Sequence, residues 1–469
     1  MSDFDLVVLG GGTGNIVASA AAEAGSDVAL VERDRLGGTC LNRGCNPSKK
    51  LIRRADVAET IRGADSLGVE ASVDAIDFAG IVDDVRTTIR EAAEAKAERA
   101  RDHERVTLYQ CEGRFVDERT VEVDAGDGSG TAESGGDRIT GERVVLAGGS
   151  RPIVPDSIDG TEETEFLTSD DALRLSERPD RLVVVGGGYI AAELSHFFSQ
   201  MGAEVVIVDH SDVLVDREDP EIAAHVTDVY RRKHDVHLGY DVTAIEDTDG
   251  GKRVTAENDD DETIEVSGDR LLLAIGRRPN SDTWNVSAAG IETTDEGYVD
   301  TDEYLRTSAE GVYAIGDIAG NYPFKHAGDT EAKYAVENAV RDGESPVEYP
   351  GMAHAIFGSP QVGSLGKTED ELEDGSYEVG TFAYDDTALG TTLDHDGGFV
   401  KVLVGEDDAV LGCHVVGPEA STLIHEVSTA VAAGADATGI AETIHVHPAL
   451  SEVVQGAFRD VCDVAPSGI

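Results

Sequence analysis

The chain holds 469 residues, with 93 Asp and Glu against 38 Lys and Arg, for a formal net charge of −55 at pH 7. A field of that sign repels phosphate groups, which excludes nucleic acid and anionic membrane surfaces as partners. No apolar run approaches the roughly 20 residues that a membrane-spanning helix needs.

The acids are spread through almost every segment, not gathered in a tail. That pattern predicts a salt-adapted protein, whose self-repulsion is screened by concentrated cations. The length calls for two to four domains. No apolar leader precedes the first strand, so a cytoplasmic location is expected. In such a setting the five cysteines do not make a disulfide scaffold, and a close pair reads as catalytic or metal-binding.

Asp5 to Leu9 is a short, continuously apolar strand of the kind buried in a parallel sheet. Gly10, Gly12 and Gly14 follow, then an Ala-rich helix from Ile16 to Ala24, then the strand Val28–Val31 ending at Glu32. This is the order of a dinucleotide site. The glycines let the backbone approach a pyrophosphate, the helix N-terminus faces it, and the acid accepts from ribose hydroxyls. Asn15 stands where a third glycine is usual, which predicts slightly looser helix–strand packing.

Next come two cysteines five positions apart, Cys40 and Cys45, after Gly37-Gly38-Thr39 and before Pro47-Ser48-Lys49, a run that can start or extend a helix. A pair this close can form a disulfide and reopen. A structural zinc site needs four ligands, and no second pair stands nearby. Cys111, Cys413 and Cys462 read as ordinary small apolar residues.

Residues 55–105 look helical, above all from Val85 to Arg105, and 115–142 alternate β-formers with turn residues as a small meander. Val144 to Pro155 reads as a strand and a turn leaving the first domain. The dinucleotide pattern then repeats: Leu182–Val185, Gly186 and Gly188, a helix to about Met201, and Val205–Val208 ending at Asp209. Two such units can pass a hydride between two cofactors. A carboxylate at Asp209 favours a free 2′-hydroxyl and hence NADH, although His210 and Arg217 could offset its repulsion of a 2′-phosphate. Asp247 to Thr263 reads as a solvated hairpin. Leu271 to Asn280 closes the second domain, passing Gly276, and Gly311 to Asp317 is another buried strand. From about Gly351 short strands precede a helix from Ser421 to Ala433. Near the end, His447-Pro448 with Glu452 five residues on suits an oriented base, the carboxylate fixing the imidazole tautomer.

The Cys-x4-Cys stretch, the two Gly-rich units, the Ala-Ile-Gly-Asp317 return and the His-Pro-x3-Glu end resemble the FAD-dependent pyridine nucleotide-disulfide oxidoreductases. That family includes dihydrolipoamide dehydrogenase, glutathione reductase, mycothione reductase and mercuric reductase. The resemblance runs from Asp5 to about Phe458, in the family's order. It implies an α/β protein with two Rossmann-like dinucleotide-binding domains plus a C-terminal α+β dimerisation domain. The implied boundaries are 1–150 for FAD, 151–279 for NAD(P), 280–350 for a central domain completing the FAD site, and 351–469 for the interface. It also implies a homodimer whose active site is shared across the interface.

Residue by residue, the resemblance makes Cys45 the thiol nearest the flavin and Cys40 the interchange thiol that attacks the substrate disulfide. Lys49, paired with Glu193, stands beside the flavin, and Tyr189 covers the flavin until nicotinamide enters. Gly10, Gly12, Gly14, Glu32, Gly38, Thr39, Gly113 and Asp317 fall on the FAD side. Gly186, Gly188, Asp209 and Gly276 fall on the NAD(P) side. His447 protonates the departing thiolate, with Glu452 behind it. The attacking species is a thiolate, and the mixed disulfide is resolved by its neighbour.

Arg43 and Asn46 flank the cysteines where lipoamide enzymes usually carry small apolar residues. They suit a small, carboxylate-rich disulfide better than an apolar lipoyl arm. Thr13-Gly14-Asn15, Arg306 to Gly311, Phe324-Lys325-His326 and His447 to Val454 lean toward mycothione reductase within the family. A vicinal cysteine pair, as in the tail of mercuric reductases, is missing from the sequence's end. With a haloarchaeal type of composition, bis-γ-glutamylcystine is the expected substrate and NADPH the expected donor, in tension with Asp209. The rivals are a dihydrolipoamide dehydrogenase subunit of a 2-oxoacid dehydrogenase complex and a redox-regulated binding flavoprotein of low turnover.

Overall fold

A computed structural model describes residues 2–123, 136–393 and 396–465. Contacts divide the chain into two units: Met1–Ser48 with Asp83–Ile153 and Arg277–Tyr349, and Lys49–Val82 with Val154–Gly276 and Pro350–Ile469.

The first unit is built on β1 (Ser2–Leu9), which lies between β2 (Val28–Val31) and the strand Asp137–Leu146, parallel to both. Val106–Tyr109 extends the sheet beyond β2, and Val312–Ala314 extends it on the other side. Alternate residues of these strands serve opposite faces. Leu6, Val8, Val28 and Leu30 cluster with Val17, Ala18, Ala21 and Ala22 of α1 (Gly14–Glu23). Val7, Leu9, Ala29 and Val31 cluster with Phe115, Trp284 and Ile318. Burial on both faces is why the strands read as continuous apolar runs. Gly113–Asp117, Thr120–Val123 and Asp137–Leu146 pair antiparallel, as the alternation over 115–142 predicts; residues 124–135 lie outside the described residues. After β2 come α2 (Gly38–Arg43) and α3 (Cys45–Gly63).

The second unit holds a four-stranded parallel sheet in the order Asp235–Leu238, β4 (Glu204–Asp209), β3 (Arg181–Val185), Arg270–Leu273. Helix α4 (Tyr189–Gln200) joins β3 to β4, and α5 (Pro220–Lys233) follows. The predicted hairpin around Asp247 to Thr263 is part of a three-stranded antiparallel sheet, Asp241–Thr248, Gly251–Glu257 and Thr263–Gly268. Residues 49–82, which the sequence places with the first domain, group here instead. The cause is contact with α4: Arg62 donates to the Gln200 carbonyl at 2.8 Å, His196 meets Asp56 at 3.1 Å, and the Phe78 and Phe197 rings lie 5.9 Å apart.

The C-terminal part of this unit is a five-stranded antiparallel sheet: Ala353–Ile356, Val362–Gly366, Val410–Val416, Phe399–Val404, Glu378–Ala383. Its apolar side clusters with residues from the helices Ala420–Ala432 and Glu452–Cys462. Among the described residues no helix is long and apolar enough to cross a membrane, and no group of His, Cys, Asp and Glu could hold a metal ion.

One buried charge ties this sheet to α5. Lys401 has no exposed side-chain surface, and its Nζ lies 3.0 Å from Asp219, which is equally buried and also accepts from the Glu221 amide at the start of α5. Lys401→Met would leave the Asp219 carboxylate buried without its cation. The expected outcome is a loss of about 3–5 kcal/mol in stability, read as a lower denaturant midpoint at fixed KCl.

Candidate active site

The first glycine loop stands at the end of β1. The Gly10 amide donates to the Val31 carbonyl at 2.8 Å, and Gly10 adopts φ +102, where a Cβ would lie 2.1 Å from the Ala147 oxygen. Only glycine fits there. The Gly11 amide donates to Glu32 Oε2 at 2.8 Å and the Asp34 amide to Oε1 at 2.9 Å. Burial nonetheless pushes the Glu32 carboxyl up from its ordinary range, with those backbone donors opposing the shift. Asn15 causes no visible gap, because the close approach belongs to Gly14: a Cβ on it would sit 2.8 Å from Val8 Cγ1.

The same loop seats the redox helix. The Gly37 amide donates to the Gly11 carbonyl at 2.8 Å. Gly38, at φ +58, comes so near Gly12 that a Cβ would lie 2.6 Å from the Gly12 Cα. Helix α2 therefore starts directly on the dinucleotide loop, with Thr39 and Cys40 in its first turn. Asn42 holds the helix from beneath, donating to the carbonyls of Arg35 and Gly38 at 3.0 Å. After Gly44 the chain turns, and Cys45 opens α3, where the positive end of the peptide dipoles favours an anion.

Neither cysteine is in a disulfide here; Cys40 is half-buried and Cys45 exposed. The hydrogen bond that Cys40 donates to Cys45, together with burial, pushes the Cys40 thiol well above its ordinary range. Asn46 Oδ1 lies 4.0 Å from Cys40 Sγ. Lys325 and Asp329, one turn apart on the helix Lys325–Ala335, act on Cys40 with opposite signs. Arg43, expected to meet the substrate, has its guanidinium paired with Asp34, and its charge opposes the rise at nearby Glu32. The Asp34 carboxylate, held on the loop just after β2, draws it to the acid side of α2.

Elsewhere in this unit, Asp317 accepts from Ser150 Oγ at 2.5 Å, and Arg277 donates to Ser150 Oγ and O at 2.9 and 2.8 Å. Gly113 packs against β2, where a Cβ would meet Val31 at 2.9 Å. The left-handed glycines, with the carboxylate acceptors Glu32 and Asp317, form a cradle with the hydrogen-bonding groups that FAD requires.

The second glycine loop repeats the plan. Gly186, at φ +112, donates to the Val208 carbonyl at 2.9 Å and packs on the Ala274 oxygen, two residues before Gly276. Gly188 caps α4 with open space around it. Asp209 accepts from the Ser211 amide at 3.2 Å and lies 3.5 Å from His210 Nδ1; burial raises its carboxyl. On α4, Glu193 binds Lys49 through both oxygens, at 2.7 and 2.6 Å, and accepts from the Phe357 amide at 3.1 Å. Lys49 stands one turn beyond Cys45 on α3, over the Phe357 ring. Tyr189 opens α4 and stacks on His354.

Near the C-terminus, His447 Nδ1 lies 2.9 Å from Glu452 Oε1, and the Ala449 amide donates to Oε2 at 3.0 Å. Burial opposes, but those two partners hold the Glu452 carboxyl below its ordinary range. His447 is 70% exposed, as a group that meets a partner from solvent must be. Three polar residues in the second unit escape a sequence reading: the buried Glu218 and Ser364, and the half-buried His354 that bonds to Glu218. Asp219 and Pro220 announce a helix start, but no local signal marks Glu218.

Comparison with known proteins agrees with this architecture. Residues 4–343 match the family model for pyridine nucleotide-disulphide oxidoreductases, and residues 352–458 match that family's dimerisation domain. The chain belongs to the pyridine nucleotide-disulphide oxidoreductases. It is a flavoprotein disulfide oxidoreductase, using FAD and a pyridine nucleotide. Similar proteins include the dihydrolipoyl dehydrogenase of Halobacterium salinarum, 36% identical over 97% of this chain and 95% of that one. The mycothione reductase of Mycobacterium tuberculosis is 32% identical over 98% and 99%. A solved structure of the HOCl-induced flavoprotein disulfide reductase RclA from Escherichia coli shares the fold, with TM-score 0.85 and 24% identity over 98% of this chain and 99% of that one.

Gly38→Ala places a Cβ against the Gly12 backbone in a left-handed conformation. It should weaken FAD retention about tenfold or more and lower turnover with it. The check is the flavin-to-protein absorbance ratio after gel filtration in molar KCl.

Proposed function

We propose that the protein is an NADPH-dependent reductase of a small, polar disulfide, with bis-γ-glutamylcystine the substrate and γ-glutamylcysteine the product. The observation that carries this assignment is the setting of Cys40. Its sulfur lies beside the Asn46 amide oxygen and within the fields of Lys325 and Asp329. A lipoyl arm gains by burying methylenes, and these groups offer it little. A disulfide bearing carboxylates and amides finds a cation and hydrogen-bonding partners there. Arg43 takes no part, being engaged with Asp34.

FAD, held by the first glycine loop with Glu32 and Asp317, would supply the two-electron link between NADPH and the cysteine pair. Cys40, its thiol proton drawn off by His447, attacks one sulfur of the substrate; the substrate S–S bond breaks and a mixed disulfide forms on Cys40. His447, oriented by Glu452, gives a proton to the departing thiolate. Cys45 then attacks the Cys40 sulfur, releasing the second thiol and leaving a Cys40–Cys45 disulfide. Lys49, held by Glu193, keeps a fixed positive charge one helical turn from Cys45. The active unit is a homodimer in which the His447–Glu452 pair of one protomer serves the cysteine pair of the other. The dimerisation-domain match supports that arrangement, and the acidic surface suits a salt-rich cytoplasm.

A second reading is dihydrolipoyl dehydrogenase. It is favoured by the haloarchaeal relatives of that name and by Asp209, which disfavours a 2′-phosphate. Steady-state assays in molar KCl separate the two. NADPH and NADH are each tested with bis-γ-glutamylcystine, glutathione disulfide, mycothione and lipoamide. The expected outcome is the highest kcat/KM with NADPH and bis-γ-glutamylcystine. Preference for lipoamide by orders of magnitude would overturn the proposal.

A further inference from the structure

Glu218 is one of the most enclosed carboxylates in the second unit, with no exposed side-chain surface, and nothing in the chemistry above uses it. It accepts from Ser364 Oγ at 2.5 Å and lies 2.8 Å from His354 Nε2. Burial and the facing Glu218 carboxylate together push the Tyr189 hydroxyl well above its ordinary range. The Tyr189 ring also lies on the His354 imidazole, centroids 5.9 Å apart and planes 20° from parallel.

The loop that brings Glu218 here is tied to the second glycine loop. The Val215 amide donates to the Gly187 carbonyl at 2.8 Å, and the Glu218 amide donates to the Val215 carbonyl at 2.9 Å. Val215 is buried at φ +49, a conformation that a β-branched residue adopts only under strong constraint. One residue on, Asp219 is fastened to Lys401 and to the Glu369 amide. Glu218 is therefore a fixed point, and Tyr189, at the mouth of the glycine loop, is what it holds. His354 and Ser364 belong to the strands Ala353–Ile356 and Val362–Gly366, inside the segment that matches the dimerisation domain.

We propose that Glu218, braced by His354 and Ser364, is a positioning residue for Tyr189, so that two strands of the dimerisation segment set the pose of the aromatic that admits nicotinamide. This rests on Tyr189 as the residue that covers the flavin. A ring held at its hydroxyl and on one face has one preferred pose, and the nucleotide displaces it from a defined state. With the tether cut, the ring samples several poses, and the nucleotide meets its site ordered only part of the time.

The test uses the holoenzyme in molar KCl with His354→Phe, Glu218→Gln, Tyr189→Phe, Tyr189→Ala and the double variant Tyr189→Phe/Glu218→Gln. His354→Phe keeps a ring for Tyr189 to lie on and removes the bond to Glu218, so it serves even where Glu218→Gln folds poorly. Anaerobic stopped-flow reduction by NADPH reads the nucleotide half-reaction. Reoxidation by the disulfide reads the other half. The expected result is a rise of about 5- to 20-fold in the NADPH concentration for half-maximal reduction, with reoxidation changed less than about twofold. The double variant should match Tyr189→Phe, because the two groups act as one. Should His354→Phe and Glu218→Gln leave the nucleotide half-reaction unchanged while Tyr189→Ala alters it, the positioning role is wrong and the covering role of Tyr189 stands. If Tyr189→Ala is also without effect, the covering role itself falls. Equal losses in both half-reactions would mark a structural role only and would likewise overturn the proposal.

Discussion

The approach of the Gly38 backbone to Gly12 is the constraint on which the rest of the first unit depends. Helix α2 has six residues, too few to hold a shape on its own. It is held because its first residue lies against the dinucleotide loop, because Gly37 bonds Gly11, and because Asn42 ties its underside to Arg35 and Gly38. The cysteines inherit that rigidity. Cys40 is fixed to the loop that would hold a pyrophosphate, and Cys45 follows after a single glycine on the helix that carries Lys49. A side chain at position 38 would separate the chemistry from the cofactor site by pushing the whole segment outward.

The two glycine loops solve one problem twice. In each, the leading glycine is left-handed, bonds a carbonyl near the end of the neighbouring strand, and lies against the carbonyl of an alanine just past a third strand. In each, the acid at the end of that neighbouring strand is buried and receives a backbone N–H from two residues ahead. They diverge in what surrounds them. The first loop supports the redox helix. The second is fastened through Val215 to a buried network of Glu218, Asp219, Lys401, His354 and Ser364. Such a network costs desolvation and confers uniqueness of geometry more than net stability. In the role proposed for it, Tyr189 would benefit from uniqueness of that kind.

Much of this was legible in the sequence because the determinants are local. A strand–glycine–helix–strand–acid order needs about thirty residues, and Cys40 to Lys49 lie within ten. Other features depended on competition that a linear reading cannot weigh. Arg43 has Asp34 within reach, and a fixed carboxylate on the protein outweighs a substrate carboxylate that must first arrive. Glu218 and Ser364 lie 146 residues apart, and Asp219 and Lys401 lie 182 apart. Neither pair follows a spacing rule, because a sheet from the C-terminal segment brings them together. Residues 49–82 were assigned by sequence neighbourhood, whereas the contacts of Arg62, Asp56 and Phe78 with α4 place them in the second unit.

In the proposed cycle electrons enter the pair at Cys45 and leave it at Cys40. That direction is tested most directly by trapping the mixed disulfide. Reduced Cys45→Ser and Cys40→Ser holoenzymes, each with one thiol of the pair, are exposed to bis-γ-glutamylcystine in molar KCl and analysed by peptide mass spectrometry. The account predicts one γ-glutamylcysteinyl group on Cys40 in Cys45→Ser, formed faster than any adduct on Cys45 in Cys40→Ser. Equal or faster labelling of Cys45 would contradict it.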